Sequence, residues 1–273
     1  MPVDTDRLAV HTITTKPWSI EEAMEKFSAS GVRGISVWKE AMEGRDWATT
    51  GNRIRAAGLS VVSTVRGGFF PDPSEAERLK RIDDNKALIE KSAALGSPLL
   101  VLVSGAHPGQ SLDTSVNQIQ NGIEAILPFA QQHGVRLAVE PLHPMYADNR
   151  SAIVTLRQAN DLCSRIDHPS LGVAVDVYHL WWDPELENEI SRCGKLNKIF
   201  AFHVCDWKTP TLDFLNDRGL MGEGCIDIPK IRGWVEKAGF GGFIEVEIFS
   251  KRYWAMDQDE FLQMITKAYK EKV

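Results

Sequence analysis

Cysteine is scarce in this chain. There are four among 273 residues (Cys163, Cys193, Cys205 and Cys225), and no two of them form a Cys-x-x-Cys pair. They read as reduced, unpaired thiols of a cytosolic protein, with Cys205 set apart because it stands two residues after His203. An excess of positive charge is also lacking: 31 Lys and Arg against 37 Asp and Glu leave a formal net charge of -6. That balance argues against a nucleic-acid partner, which calls for a basic face, but one or two local cations would still suit a phosphorylated substrate. No stretch approaches the roughly 20 apolar residues of a membrane helix. The opening Met1-Pro2-Val3-Asp4-Thr5-Asp6 has neither the basic start nor the apolar run of a secretory leader. The expectation is a cytoplasmic chain with no membrane partner. Linkers and low-complexity tracts are missing too, so residues 1–273 are expected to form one domain.

What is present is an ordinary globular composition, 43% apolar and 25% charged, with short apolar runs alternating with amphipathic stretches. Strands are expected over residues 8–11, 34–38, 59–65, 98–103, 137–140, 171–176, 198–203 and 243–248. Helices are expected over 20–29, 46–57, 74–95, 113–133, 151–166, 183–193, 228–239 and 257–270. Ser19 with Glu22 three residues on forms a capping box for the first helix. Residues 66–73, with Gly67, Gly68 and the adjacent Phe69 and Phe70, read as a mobile lid loop. Eight strand–helix units at this length predict an α/β fold with a closed parallel sheet, a single (β/α)8 TIM barrel.

In this fold the chemistry sits at the C-terminal strand ends. Four successive runs there end in a group able to hold a metal: Glu140, Asp176, His203 and Glu247. Any one acid at a strand end is most often a cap or a solvated side chain, but the joint pattern is specific. Three carboxylates and an imidazole form a hard, oxygen-rich set suited to one divalent ion, Mn2+ first, with Mg2+, Co2+ or Zn2+ as alternatives. Such an ion acts as a Lewis acid on a sugar carbonyl. It makes a neighbouring carbon acidic enough for a carboxylate to deprotonate, stabilises the enediolate, and lets a second acid return the proton. Glu245 is assigned to the opposite face of the eighth strand from Glu247 and is left out of the ligand set.

The pieces Val139-Glu140-Pro141-Leu142, Asp176-Val177-Tyr178-His179, His203-Val204-Cys205-Asp206, Gly222-Glu223-Gly224-Cys225-Ile226-Asp227 and Gly239-Phe240-Gly241-Gly242 leading to Glu247 resemble the xylose-isomerase-like barrel superfamily. The likeness is to its branch of sugar isomerases and epimerases, including ketose 3-epimerases and inosose isomerases. The resemblance implies that Glu140, Asp176, His203 and Glu247 are metal ligands. It further implies that Glu140 and Glu247 are the paired acid/base carboxylates and that His179 contacts a substrate oxygen. The chain departs from the pattern in one respect. Ketose 3-epimerases carry a substrate-holding arginine a few residues past the metal-binding histidine, whereas here Cys205-Asp206-Trp207-Lys208 follows, and Lys208 is the candidate substitute.

His143 is a candidate additional base. Trp38 and Trp207 can present aromatic faces to a sugar, though such residues also fill cores. His11 and His107 lie near strand ends and read first as ordinary buried histidines, with His107 carried as a candidate substrate contact. The partner is expected to be a small sugar or keto-sugar. A phosphate near Gly222 and Gly224 and a subunit contact at Tyr253 and Trp254 are further possibilities, the latter in a homo-oligomer, with a hetero-oligomer as the alternative.

An alternative chemistry uses the same proton abstraction and then expels a leaving group. That would be a lyase acting on a keto-sugar or keto-glycoside, in the manner of a C-glycoside deglycosidase with a partner subunit. An endonuclease on this barrel would need extra histidines where Trp38, Thr64 and Arg66 stand. A non-catalytic binding protein is the remaining class.

Overall fold

Along each strand, branched apolar residues alternate with small or polar ones, and this alternation decides which side faces the barrel axis. The computed structural model describes residues 5–273; Met1 to Asp4, on which the leader reading partly rests, lie outside the described residues. The strands are β1 (Leu8–His11), β2 (Gly34–Trp38), β3 (Ser60–Gly68), β4 (Leu99–Val103), β5 (Arg136–Glu140), β6 (Leu171–Asp176), β7 (Ile199–Val204) and β8 (Ile244–Val246). Each pairs parallel with the next and β8 closes on β1, the eight-stranded barrel expected from the alternation of strands and helices. The outward residues, such as Val10, Leu102, Val139, Val175 and Val246, pack with the helices into one large core. The inward ones form a smaller cluster of Trp38, Val65, Leu99, Val101, Ala138, Ala174 and Ala201.

The helices follow the expected punctuation. Ser19 and Glu22 complete the capping box of helix Ile20–Ala29, and Gly96 closes helix Glu75–Leu95 in the left-handed conformation. Several boundaries differ from the sequence reading, among them the helix expected over 183–193, which is Leu186–Lys195, and the strand expected over 243–248, which is Ile244–Val246; two others bear on the barrel mouth. Helix Leu156–Ile166 starts later than residue 151, capped by Thr155 with Gln158. The residues before it are drawn into extended pairing: Ala152 N donates to Gly105 O, and Leu142 N to Ile153 O.

The second difference is that β3 runs on through Arg66, Gly67 and Gly68, which had been read as loop. Gly67 and Gly68 pair with Leu102 and Val103 after a shift in register, and Gly68 exchanges two hydrogen bonds with the Asn85 side chain. A Cβ on Gly68 would lie 2.1 Å from Val103 O, so the glycines serve close approach rather than motion. The lid reading fails with it. Phe70 is buried against Gly122, Phe69 N and Phe70 N donate to the end of β4, and Arg81 holds the Phe69 and Pro71 carbonyls.

Glycines inside helices separate into two kinds. A Cβ on Gly51, in helix Trp47–Ala56, would sit 2.0 Å from Leu95 O, whereas one on Gly233, in helix Ile228–Lys237, would meet nothing within 4 Å. Gly233→Ala is therefore expected to stabilise the fold by about 0.4–1 kcal/mol. Gly51→Ala is expected to destabilise it by about 1–3 kcal/mol, because backbone has to move. Urea denaturation of the two variants checks both signs.

Candidate active site

Glu140 and Asp176 are the last residues of β5 and β6, His203 is the penultimate residue of β7, and Glu247 follows β8. Period-2 geometry places Ala138, Ala174 and Ala201 one layer below the first three, so these ligands stand on a floor of small residues. One donor atom from each of the four lies within 4.8 Å of the other three, and all four residues are buried. His203 Nδ1 is 2.8 Å from Glu140 Oε1.

The electrostatics of the set follow from burying acid. Burial pushes Asp176 up to about 7, with Arg218 pulling the other way and Glu140 and Glu247 adding to the rise. Burial disfavours charge on His203, yet Glu245, Glu140 and Glu247 together raise it to about 10. Glu247 is held well below the usual carboxylate range, because His11, Arg218 and His203 outweigh its burial. Converging acid oxygens that draw a proton onto an imidazole form a donor set that calls for positive charge. Three carboxylates with one imidazole nitrogen fit a hard divalent cation.

Two residues missed in the sequence belong to this centre. His11 ends β1. Its Nδ1 lies 3.1 Å from Glu247 Oε1 and its Nε2 3.2 Å from Glu245 Oε2, and its ring meets His203 edge-on at 4.7 Å. Its pKa is raised: burial opposes this, but Glu247 and Glu245 outweigh it. The available signal was its position, a histidine ending an inward strand.

The second is Arg218, from the long loop after β7. Its NH1 donates to Glu247 Oε2 at 2.8 Å and lies 3.5 Å from Asp176 Oδ2, and its NH2 is 3.3 Å from His179 Nε2. The guanidinium lies between the Tyr178 and Phe249 rings at 4.4 and 4.8 Å. An arginine thus reaches this centre fifteen residues past His203, where it engages Glu247 and Asp176, because the loop doubles back through an antiparallel bridge between Asp206 and Gly219.

The assignment of Glu245 to the far face is corrected. Residues two apart on a strand share a face, so Glu245 points inward directly beneath Glu247. It accepts from the Ser36 and Ser63 hydroxyls and lies 3.7 Å from His203 Nε2. Its burial favours protonation, but His203, His11 and Ser36 together keep its pKa below the ordinary value.

The other candidates are placed as follows. His179 Nδ1 accepts the backbone N–H of His143 at 3.2 Å. Its Nε2 lies 3.7 Å from Asp176 Oδ2 and 3.3 Å from Arg218 NH2. Burial and Arg218 hold His179 well below its ordinary pKa. His143 is half-buried, stacks on Trp207 at 5.1 Å, and is lowered by desolvation. Trp207 and Tyr178 lie with ring centres 4.8 Å apart and planes tilted by 32°. Trp38 joins the inner cluster with its indole nitrogen 3.1 Å from His11 Nδ1. His107 follows β4 with a buried Nδ1 that has no partner. Lys208 is turned onto Asp217 and makes no contact with the carboxylates of Glu140, Asp176 or Glu247.

One looser reading is overturned. The amides of Gly222 and Gly224, considered for phosphate, both donate to Asp206 Oδ2 at 2.9 Å, and Ile226 N and Trp207 N donate to Oδ1. Those donors are consumed by the protein itself. Tyr253 is buried, stacked on Phe261 at 4.3 Å, and the partly buried Trp254 donates to Ile13 O. Cys205 is buried and pushed well above its ordinary pKa by desolvation, which makes it an inert thiol.

Comparison with known proteins follows this geometry. The family described as xylose isomerase-like TIM barrel matches residues 24–268. The chain is similar to an inosose isomerase of Halalkalibacterium halodurans, 24% identical over 201 residues that cover 71% of this chain and 68% of that protein. It is also similar to a 3-dehydroshikimate dehydratase of Pseudomonas putida, 23% identical over 241 residues, 85% of this chain but 36% of that one. A solved structure of a protein from Sinorhizobium meliloti 1021 is 42% identical, with a TM-score of 0.95 over 98% of this chain and 99% of the other. The fold alone is shared with the IolI protein, solved with a bound zinc atom, at 19% identity and a TM-score of 0.84 over 96% of both chains. Among the described residues no helix is long and apolar enough to cross a membrane.

The proton on His203 and the raised carboxyl of Asp176 must both leave when a cation enters, so cation affinity rises with pH. With His203 at about 10 and Asp176 at about 7, apparent Mn2+ affinity should climb about tenfold per pH unit above pH 7. It should climb more steeply below pH 7, where two protons are displaced. Competition with a fluorescent chelator between pH 6 and 9 measures the slope; a flat profile contradicts the assigned ligand set.

Proposed function

Because the chain belongs to the xylose isomerase-like TIM barrel family, we propose that it is a divalent-metal-dependent sugar isomerase or epimerase that moves a proton at the carbon beside a carbonyl. The observation that carries this reading is the pair Glu140 and Glu247. They come from β5 and from the end of β8, on well-separated parts of the barrel rim, yet present carboxylate oxygens within 4.8 Å of each other. A divalent cation held by Glu140, Asp176, His203 and Glu247, with Mn2+ the first choice, supplies Lewis acidity toward the carbonyl.

The protein's own groups do the rest. Glu247, kept ionised by His11 and Arg218, is the base, and Glu140 returns the proton on the opposite face of the carbon. His179 presents its N–H to a substrate oxygen. Trp207, with His143 stacked on it, forms an apolar wall for the C–H face of a sugar, and Trp38 forms a second. Arg218 is the positioning cation that holds Glu247 and Asp176 in place. The similarity to an inosose isomerase supports a polyhydroxylated ketone as substrate.

One observation favours a second reading. His143 lies three residues past Glu140, and desolvation keeps its imidazole neutral. It is therefore available to assist departure of a leaving group, and the chain is also similar to a dehydratase. In that reading the same deprotonation ends in elimination.

Incubation in heavy water with ketoses, keto-inositols and keto-glycosides should place deuterium beside the carbonyl. Glu247→Gln and Glu140→Gln should each slow this by about 10²–10⁴-fold without altering the circular dichroism. Incorporation that persists in both variants contradicts the mechanism. Product of unchanged mass marks isomerisation, and loss of water or an aglycone marks elimination.

A further inference from the structure

The described residues include one largely buried arginine at the barrel mouth with nothing to bind. Arg66, in β3, lies with its guanidinium carbon 5.4 Å from the Trp38 ring centre and 5.1 Å from that of Phe69. Its Nε is buried without an acceptor, and its guanidinium makes no hydrogen bond or ion pair. Apart from Arg150, other arginines buried as much or more are engaged: Arg218 with Glu247, Arg81 with Asp72, Arg45 with Glu21. Leaving a guanidinium N–H buried and unpaired is costly, so the missing acceptor should arrive with a ligand.

Desolvation and, less strongly, Arg150 oppose the charge on Arg66, while Glu40, Glu247 and Glu140 favour it from beyond ion-pair distance, so no acid closes on the guanidinium. Arg150 is tied to the end of β4 through Gly105 N donating to its carbonyl at 2.8 Å. It lies over the Tyr146 ring and has no acid partner of its own. His107, on the same rim, keeps a buried Nδ1 without an acceptor.

The position relates directly to the proposed reaction centre. Trp38, on which Arg66 rests, contacts His11 through its indole nitrogen, and His11 contacts Glu247. Arg66 is thus one aromatic ring and one imidazole away from the proposed base. The acidic charge of the ligand set is answered by a dication and by Arg218, which leaves Arg66 and Arg150 free for a further anion. On the opposite rim the glycine amides that could bind one are occupied by Asp206.

Resting on the isomerase reading above, we propose that the substrate carries an oxyanion, a carboxylate or a phosphate, held by Arg66 with Arg150 beside it, while its hydroxyl and carbonyl oxygens face the metal ligands. The fork of a guanidinium matches either oxyanion in two-point fashion, and the Trp38 and Phe69 faces keep it oriented.

Calorimetric titration of the Mn2+-loaded protein with D-glucitol, D-glucitol 6-phosphate and D-gluconate tests this. At least one of the two anions should bind about tenfold more tightly than D-glucitol, one charge-assisted contact being of that size, and which one does so distinguishes phosphate from carboxylate. Arg66→Gln should erase that advantage while leaving Mn2+ and D-glucitol affinities within about twofold, and Arg66→Lys should restore part of it. The proposal is overturned if the wild-type protein fails to bind either anion more tightly than D-glucitol. It is equally overturned if the preference survives Arg66→Gln, since the metal then attracts the anion and Arg66 only clamps Phe69. The wild-type comparison needs no variant to fold. Failure of Mn2+ to bind at all would count against the isomerase reading, whereas Mn2+ binding without anion preference counts only against the oxyanion grip.

Discussion

Everything at the mouth of this barrel answers to negative charge held out of water. Glu140, Asp176, Glu245 and Glu247 are all buried, and carboxylates in such a setting persist as ions only beside positive charge or several hydrogen-bond donors. The neighbours supply both. Arg218 reaches Glu247 and Asp176, His11 lies between Glu245 and Glu247, His203 lies between Glu140 and Glu245, and two serine hydroxyls donate to Glu245. The donor atoms converge where a cation would complete the balance.

Support for this arrangement differs from strand to strand. Under Glu140, Asp176 and His203 the inward layer is alanine, which leaves room and imposes no direction. Under Glu247 it is Glu245, which engages two imidazoles and two serines and so fixes the ring planes of His11 and His203 from below. Outer partners of this kind orient a ligating histidine and tune its basicity. Glu245 is in that position, and Asp176 is separately oriented by accepting the Tyr178 backbone N–H at 2.7 Å.

The barrel and the convergence of four donor residues on its rim were legible in the chain because they rest on local patterns: β-branched runs, glycine stops and acids or a histidine placed at strand ends. Arg218 was not legible, because its place depends on a long loop folding back across His203's strand, and distance along the chain says nothing of that return. Glu245 was within reach of the alternation rule and was put on the wrong face; the rule itself places it beside Glu247. The Phe69–Phe70 segment misled for another reason. Glycines next to aromatics suit mobility and tight packing equally, and only the presence of Asn85, Arg81 and Gly122 opposite them settles the matter in favour of packing.

Asp206 gathers four backbone N–H groups onto its two oxygens, which makes the stretch beyond β7 a knot tied at one side chain. A knot of that kind separates where a residue lands from how many residues precede it. The intervening segment can lengthen, shorten or change composition while the guanidinium still arrives at the same point beside Glu247. Related barrels can therefore share a cation in space that no alignment column would pair, and counting from the histidine is a poor guide to which of them possess it.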